Sequence, residues 1–279
     1  MVGGDNMEKI EQNVKKINAY LGLERKVVGV RFLFNEVEYE NSEFHSLKNR
    51  MTYCTTVSKA TRGKDYKIKL ENFACLSAAN ALGLYPTPPL KEFGKTRLTT
   101  KVYDNLCVSR QVSKSMVYCG EGIYALEVGP LEMFDQEPDV AIIVSNPYNV
   151  MRIAQGYAFH HGHIKEAQFA GMQAICQECT SYPFEKNTIN ISMMCSGTRM
   201  LAGWGVDELG VGMPYHLFDS VVDGIRQTIN PLERNKQKKK IEERIQNSHL
   251  KEELVIEYNK NYDDGGYFGL QGCPKDSSK

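Results

Sequence analysis

The chain of 279 residues has no apolar run near the ~18 residues needed to cross a bilayer. Its longest, Val140–Val144, is the size of a strand. The first residues, Met-Val-Gly-Gly-Asp-Asn-Met-Glu, hold no apolar signal core. A cytoplasmic protein without membrane contact is therefore expected. Excess charge is also missing, since Lys plus Arg and Asp plus Glu are equal at 34 each. A balanced chain has no general field for nucleic acid or an acidic membrane, so no nucleic-acid partner is expected. Several signatures of familiar chemistry are absent too. There is no phosphate-binding P-loop, no serine-hydrolase elbow and no HExxH helix. Gly120-Glu121-Gly122 is not followed by the helix that a dinucleotide fingerprint needs.

What remains is an ordinary globular composition, 42 % apolar and 24 % charged. The length suits one large domain or two small ones, with a core that needs no staples. Eight cysteines stand out against this background. A reducing compartment disfavours disulfides between them. Each is then either a small buried hydrophobe or a ligand or nucleophile.

Periodicity divides the chain into alternating helices and strands. Ile10, Val14, Ile17 and Leu21 recur at helical spacing over 7–21, and Val27–Phe34 is a β-branched strand. An Asn- and Glu-rich loop follows, then a short helix over Thr52–Thr61. Tyr66–Cys75 reads as a half-buried strand, Leu76–Leu84 as a helix, and Lys91–Lys101 as a basic loop before a helix over 102–113. Ile123–Met133 is a strand broken at Gly129-Pro130, and Pro138–Ser145 is a fully buried one. Helices are expected at Tyr148–Phe159, opened by Asn146-Pro147, and over 172–181. Asn187–Cys195 is a strand, Ser196–Trp204 a helix, Leu209–Met213 a strand and Leu217–Ile229 an amphipathic helix. Residues 232–258 are dense in Lys and Glu and read as a solvated helix with i,i+4 pairs, ahead of a flexible tail over 263–279.

Two segments share one plan. Cys54, helix, turn, strand, Cys75, helix is followed later by Cys176, helix, turn, strand, Cys195, helix. A glycine falls at the same offset after the second cysteine of each, at Gly83 and Gly203. The expected fold is α/β or α+β, a mixed sheet with flanking helices over 1–231. Its two halves, about 7–118 and 119–231, would be related by a pseudo-two-fold axis, with a charged helix and tail over 232–279. Such packing would let Cys54, Cys75, Cys176 and Cys195 converge. Four thiolates suit an iron–sulfur cluster or a structural zinc. The lone close pair, Cys176-Gln177-Glu178-Cys179, also admits a redox dithiol.

A second set of residues surrounds Cys195. In Cys195-Ser196-Gly197-Thr198-Arg199 a cysteine on a strand-to-helix turn meets backbone donors and an Arg. This pattern would let Cys195 act as a nucleophile, with Gly197 and Arg199 holding an anionic group and Glu208 serving as acid or base. The plainer alternative is a tight turn that needs Gly197 for its geometry. Phe159-His160-His161-Gly162-His163 is the one histidine cluster, either a ligand set or a solvated helix end.

The order Tyr53-Cys54, Phe73-Ala74-Cys75, Gly129-Pro130-Leu131-Glu132, Pro138-Asp139-Val140, Asn146-Pro147, Cys176 and Cys195-Ser196-Gly197-Thr198-Arg199 resembles domain-of-unknown-function family 169 over about residues 10–230. The family is found largely in anaerobic bacteria and archaea. The resemblance implies that Cys54, Cys75, Cys176 and Cys195 matter more than Cys107, Cys119, Cys179 and Cys273, and it favours iron–sulfur chemistry over zinc. The expectation is an iron–sulfur or other thiolate-metal protein of anaerobic metabolism, redox or substrate-activating, with a small-molecule or redox partner and room for a homo-oligomer. The alternatives are a metal-free enzyme with Cys195 as nucleophile, or a non-enzymatic small-ligand-binding module whose cysteines are structural.

Overall fold

The computed structural model describes residues 2–86, 99, 101–250 and 254–258. Most of the basic stretch 91–101, the tail over 263–279 and Cys273 lie outside the described residues. The chain opens with helix α1 (Val2–Leu21). Strand β1 (Val28–Leu33) follows, then helices α2 (Glu36–Asn41) and α3 (Tyr53–Ala60). Next come β2 (Tyr66–Lys69), α4 (Leu76–Ala81), α5 (Leu106–Ser115) and β3 (Ala125–Pro130). The second half runs through β4 (Val140–Ser145), α6 (Pro147–His161), a π-helix (Ala174–Ser181), α7 (Tyr182–Lys186), β5 (Asn190–Ser192), α8 (Ser196–Ala202) and β6 (Leu209–Pro214). Helices α9 (Phe218–Gln227), α10 (Ile229–Leu232) and α11 (Asn235–Asn247) complete it.

Among the described residues the strands form one six-stranded sheet in the order β2-β3-β1-β4-β6-β5. All its strand pairings are antiparallel, so the sheet is not mixed, and the fold is α+β. The order reads the same from either edge when β1, β2 and β3 are laid over β4, β5 and β6. The registers agree with that overlay. Val28 of β1 faces Pro130 of β3, as Val140 of β4 faces Pro214 of β6. Each proline ends its strand, where its missing N–H costs the ladder nothing, and opens a 3-10 turn. The next residue closes the same bond in both halves: Leu131 N donates to Val27 O at 2.8 Å, and Tyr215 N to Asp139 O at 2.9 Å.

Alternation along the strands divides the core into two layers. Val140, Ile142 and Val144 of β4 join Val28, Val30 and Phe32 of β1 under α3, α4 and the π-helix. Ala141 and Ile143 turn to the other layer, beneath α1, α6 and α9. This double burial is why β4 lacks a polar face. In the second layer α6 and α9 cross at paired glycines. A Cβ on Gly224 would stand 2.8 Å from the carbonyl carbon of Gly156.

Several elements differ from the sequence expectation. Residues 36–41 form a helix, capped by the Asn35 side chain on Glu38 N. Strand β2 ends at Lys69, because the Asn72 carboxamide accepts from Lys69 N at 2.8 Å and turns Leu70–Asn72 into a 3-10 helix. Cys75 therefore leads α4 from a loop, not from a strand end. Strand β5 spans only three residues and stops short of Cys195. Helix α11 is docked along one side, burying Lys238 and Ile241, and solvated on the other. Lys238 is fully buried with its Nζ on Glu257 O, and Arg244 donates to the carbonyls of Ala19 and Tyr20 at the end of α1.

Candidate functional site: a cysteine cluster over the middle of the sheet

Four segments bring cysteines to the face covered by α3, α4, the π-helix and α8. Cys54 is the second residue of α3, which Thr52 caps through Thr55 N. Cys75 immediately precedes α4 and Cys195 immediately precedes α8. Cys176 lies in the π-helix, all of whose residues are buried. Cys54, Cys75 and Cys195 each lie near enough to Cys176 to act on its charge, and Cys195 and Cys75 act likewise on Cys54. All four are free thiols. The two halves of the sheet each contribute two.

Thr198 joins two of these thiols. Its hydroxyl lies 2.8 Å from the Cys195 sulfur and 3.3 Å from the Cys54 sulfur, and its backbone N–H donates to Cys195 Sγ at 3.3 Å. Thr198 is fully buried. The matching position after Cys75 is Ala78, and Cys75 caps no N–H of its helix. Sequence reading passed over Thr198, since a threonine inside a short helix carries no signal of its own.

Electrostatics disfavour charge here. Burial, opposed by the Thr198 hydroxyl and reinforced by Cys195 and Cys75, pushes the Cys54 thiol up to about 12. Burial and the neighbouring thiols hold Cys176 well above the ordinary thiol value. Several thiolates cannot share a desolvated site without a compensating cation. A fifth thiol, Cys179, is fully buried in the same π-helix, and burial holds it well above the ordinary thiol value.

The backbone around the cluster is unusual. π-helices are rare and are found mostly near functional sites. This one carries Cys176 and Cys179, and the Thr180 hydroxyl bonds back to Ile175 O at 2.7 Å. It lies directly on β6, where Gly210 and Gly212 leave room. A Cβ on Gly210 would meet Cys179 Sγ at 2.8 Å, and one on Gly212 would stand 2.5 Å from the Cys179 carbonyl carbon. Two non-glycine residues lead into the cysteine segments in the left-handed region, Gln173 (φ 53) and Met194 (φ 66). Each such residue costs roughly 1–2 kcal/mol, and such strain clusters at functional sites. Gln173 also ties the π-helix to α4, donating to Ser77 O at 2.8 Å.

The companions expected for a nucleophilic Cys195 are committed elsewhere. The Arg199 guanidinium is anchored on the carbonyls of Gly205, Met193 and Glu208, which take three of its five N–H groups. Glu208 pairs with Arg25 and accepts from Gly205 N. Burial would raise this carboxyl, but Arg25 and the Gly205 N–H bring it below the ordinary value. Gly197 is exposed, needs no positive φ and has open space where a Cβ would sit, so the turn does not require glycine. His160 and His161 end α6 in the opposite layer, bonded to Asp223 and Ser220 of α9. Cys107 is exposed on α5, and Cys119 is buried. As arranged, no three His, Cys, Asp or Glu side chains among the described residues stand close enough to share one metal ion.

These features define an α+β protein with one antiparallel sheet and a thiol cluster over its central strands. The chain belongs to the DUF169 family, described as "Uncharacterised ArCR", which matches residues 16–224. It is similar to an uncharacterised protein of Methanocaldococcus jannaschii, 22 % identical over 222 residues that cover 79 % of this chain and 95 % of the relative. No solved structure matches. No helix among the described residues is long and apolar enough to cross a membrane.

Proposed function

We propose that the cysteine cluster is a thiolate centre that binds an iron–sulfur cluster, with Cys54, Cys75, Cys176 and Cys195 as ligands. The protein would serve a redox or substrate-activating step of anaerobic metabolism in the cytoplasm, with a small-molecule or redox partner. The observation that carries this reading is the approach of four free thiols, two from each half of the sheet, with Cys176 buried and Cys54, Cys75 and Cys195 half-buried. Bound metal would supply the positive charge that lets buried thiols ionise. The anaerobic setting of the family favours iron–sulfur chemistry over a structural zinc, and binding would have to draw the four thiols closer, because as arranged no three of them share a one-ion site. The engagement of Arg199 and Glu208 with other groups weighs against the reading of Cys195 as a metal-free nucleophile.

The test is anaerobic purification with a visible spectrum and assays of iron, zinc and acid-labile sulfide. Broad charge-transfer absorption with iron and sulfide in equal amounts is expected. Serine at any one of Cys54, Cys75, Cys176 or Cys195 should lower both, and serine at Cys107 should not. A colourless, metal-free protein that takes up neither iron nor zinc after anaerobic reconstitution refutes the reading.

A further inference from the structure

Cys54 and Cys195 differ from the other clustered thiols. They come from different halves of the sheet, on helix α3 and ahead of helix α8, which pack against each other. Both sulfurs touch one hydroxyl, Thr198 Oγ1. Both residues are only half-buried, whereas Cys176 and Cys179 are 3 % and 0 % exposed. Ser196 and Gly197, the residues after Cys195, are exposed, so a small reagent can reach its sulfur from solvent.

We propose that Cys54 and Cys195 form an oxidisable pair, closed to a disulfide by small disulfides such as oxidised glutathione when the centre is empty. The Cys195 sulfur, steadied by the Thr198 N–H, attacks one sulfur of the small disulfide. This forms a mixed disulfide and expels one thiolate. The Thr198 side chain then turns aside and the Cys54 sulfur attacks the Cys195 sulfur. The mixed bond breaks and the second small thiolate leaves. The two protons of the protein thiols end on the two departing thiols. One protein disulfide is gained and one small disulfide is reduced to two thiols, so electrons balance. Cys195 is the attacking member because it borders the exposed Ser196 and Gly197 and its sulfur already accepts the Thr198 N–H. An approach of a few ångströms brings the sulfurs to the ~2.05 Å of a disulfide. The consequence for the site is exclusion of metal, since two of the four ligands are spent. That last point rests on the thiolate-metal reading, whereas the disulfide itself does not.

The experiment uses the full chain, metal-free and reduced, in a background of Cys107→Ser and Cys273→Ser. It is treated anaerobically with excess oxidised glutathione, blocked, digested and mapped by mass spectrometry. The expected result is a Cys54–Cys195 linked peptide and the loss of two titratable thiols. In Cys54→Ser the reaction should stop with glutathione on Cys195, and in Cys195→Ser the loss of thiols should slow at least tenfold. Near-ultraviolet circular dichroism checks that each variant is folded, and Cys54→Ala replaces Cys54→Ser if it is not. A disulfide between any other pair, no loss of thiols, or an undiminished rate in folded Cys195→Ser overturns the proposal. The metal reading is judged separately: if the cross-linked protein takes up iron as fully as the reduced one, the ligand assignment falls while the disulfide stands.

Discussion

Replacing Gly212 by alanine tests whether the π-helix sits on β6 as closely as its cysteines require. Gly212 is extended, so alanine meets no backbone strain of its own. Elsewhere such a change stabilises by about 0.4–1 kcal/mol through the unfolded chain. Here the added Cβ would lie 2.5 Å from the carbonyl carbon of Cys179 and 2.6 Å from its Cα, against an ordinary separation of ~3.5–4.0 Å. Backbone cannot swing aside like a side chain, so the π-helix must lift by about 1 Å. Overpacking of this kind costs ~1–3 kcal/mol, and we take the upper end because the whole π-helix is buried. At ~2–4 °C per kcal/mol, the melting temperature should fall by roughly 6–12 °C. The lift also moves Cys176, so iron uptake and the cross-linking rate should both drop. Gly224→Ala is the control. Its Cβ meets the Gly156 backbone in the opposite layer, so it should destabilise comparably and leave the thiols unchanged. Gly197→Ala, in open space, should be neutral or slightly stabilising. An unchanged melting temperature in Gly212→Ala would refute the close packing.

Other outcomes follow from single contacts. Thr198→Val removes the hydroxyl shared by Cys54 and Cys195 and should cost ~1–2 kcal/mol in urea unfolding, with a lower midpoint for iron loss to a chelator; Thr198→Ser should recover part of both. Arg152 is 1 % exposed and pairs with Glu233 at 2.7 Å, so Arg152→Met strands a buried carboxylate and should cost ~3–5 kcal/mol, much of it recovered in the double variant with Glu233→Gln. The Glu208 carboxyl is held below its ordinary value, so its contribution is full above the unfolded carboxylate value of ~4.3 and is lost as pH falls through the folded value. Glu208→Gln should therefore be less stable than the parent at pH ~7 and converge with it in acid, read from urea midpoints across that range. The Cys54–Cys195 disulfide closes a loop through both halves, which should raise stability by on the order of 4–5 kcal/mol less any strain; a lower melting temperature in the cross-linked protein would mean that strain prevails.

Elements with their own boundary chemistry were legible in the sequence. Asn146 followed by Pro147 marks the start of α6, and the Asn146 side chain caps Asn149 N. The helix read at Thr52–Thr61 is α3 with its two flanking residues. What was not legible depends on a partner far along the chain. A six-residue helix such as α2 is too short to show a period, and it buries only Tyr39. The π-helix over 174–181 has the composition of an ordinary helix, and the room it needs comes from glycines on β6. The chemical types of Arg199 and Glu208 were legible, but not their partners, the backbone carbonyls that anchor Arg199 and the Arg25 that pairs with Glu208. The docking of α11 was hidden for a similar reason. Lys238 and Arg244 look solvated in sequence, and only the carbonyls they meet at Glu257, Ala19 and Tyr20 show otherwise.

The cysteine pattern itself becomes intelligible through the order of the strands. Because β1 and β4 are neighbours at the centre of the sheet, the helical segments that follow them meet over the middle. There the Tyr53 hydroxyl of α3 bonds Thr180 of the π-helix at 3.1 Å. Each segment brings one cysteine to that line, Cys54 and Cys176. The loops that leave the edge strands β2 and β5 return over the same face and bring Cys75 and Cys195. One half alone offers two thiols, which is too few for a thiolate-bound cluster, so the proposed centre would need both halves. The matching is not complete, and the difference has chemical weight. Hydrogen bonds to ligand sulfur tune a metal centre. The Thr198 N–H donates one to Cys195 and its hydroxyl shares hydrogen bonds with Cys195 and Cys54, while Cys75 caps no N–H of its helix. A symmetric scaffold thus carries a lopsided site, with one paired, hydrogen-bonded edge at Cys54 and Cys195 and one bare edge at Cys75.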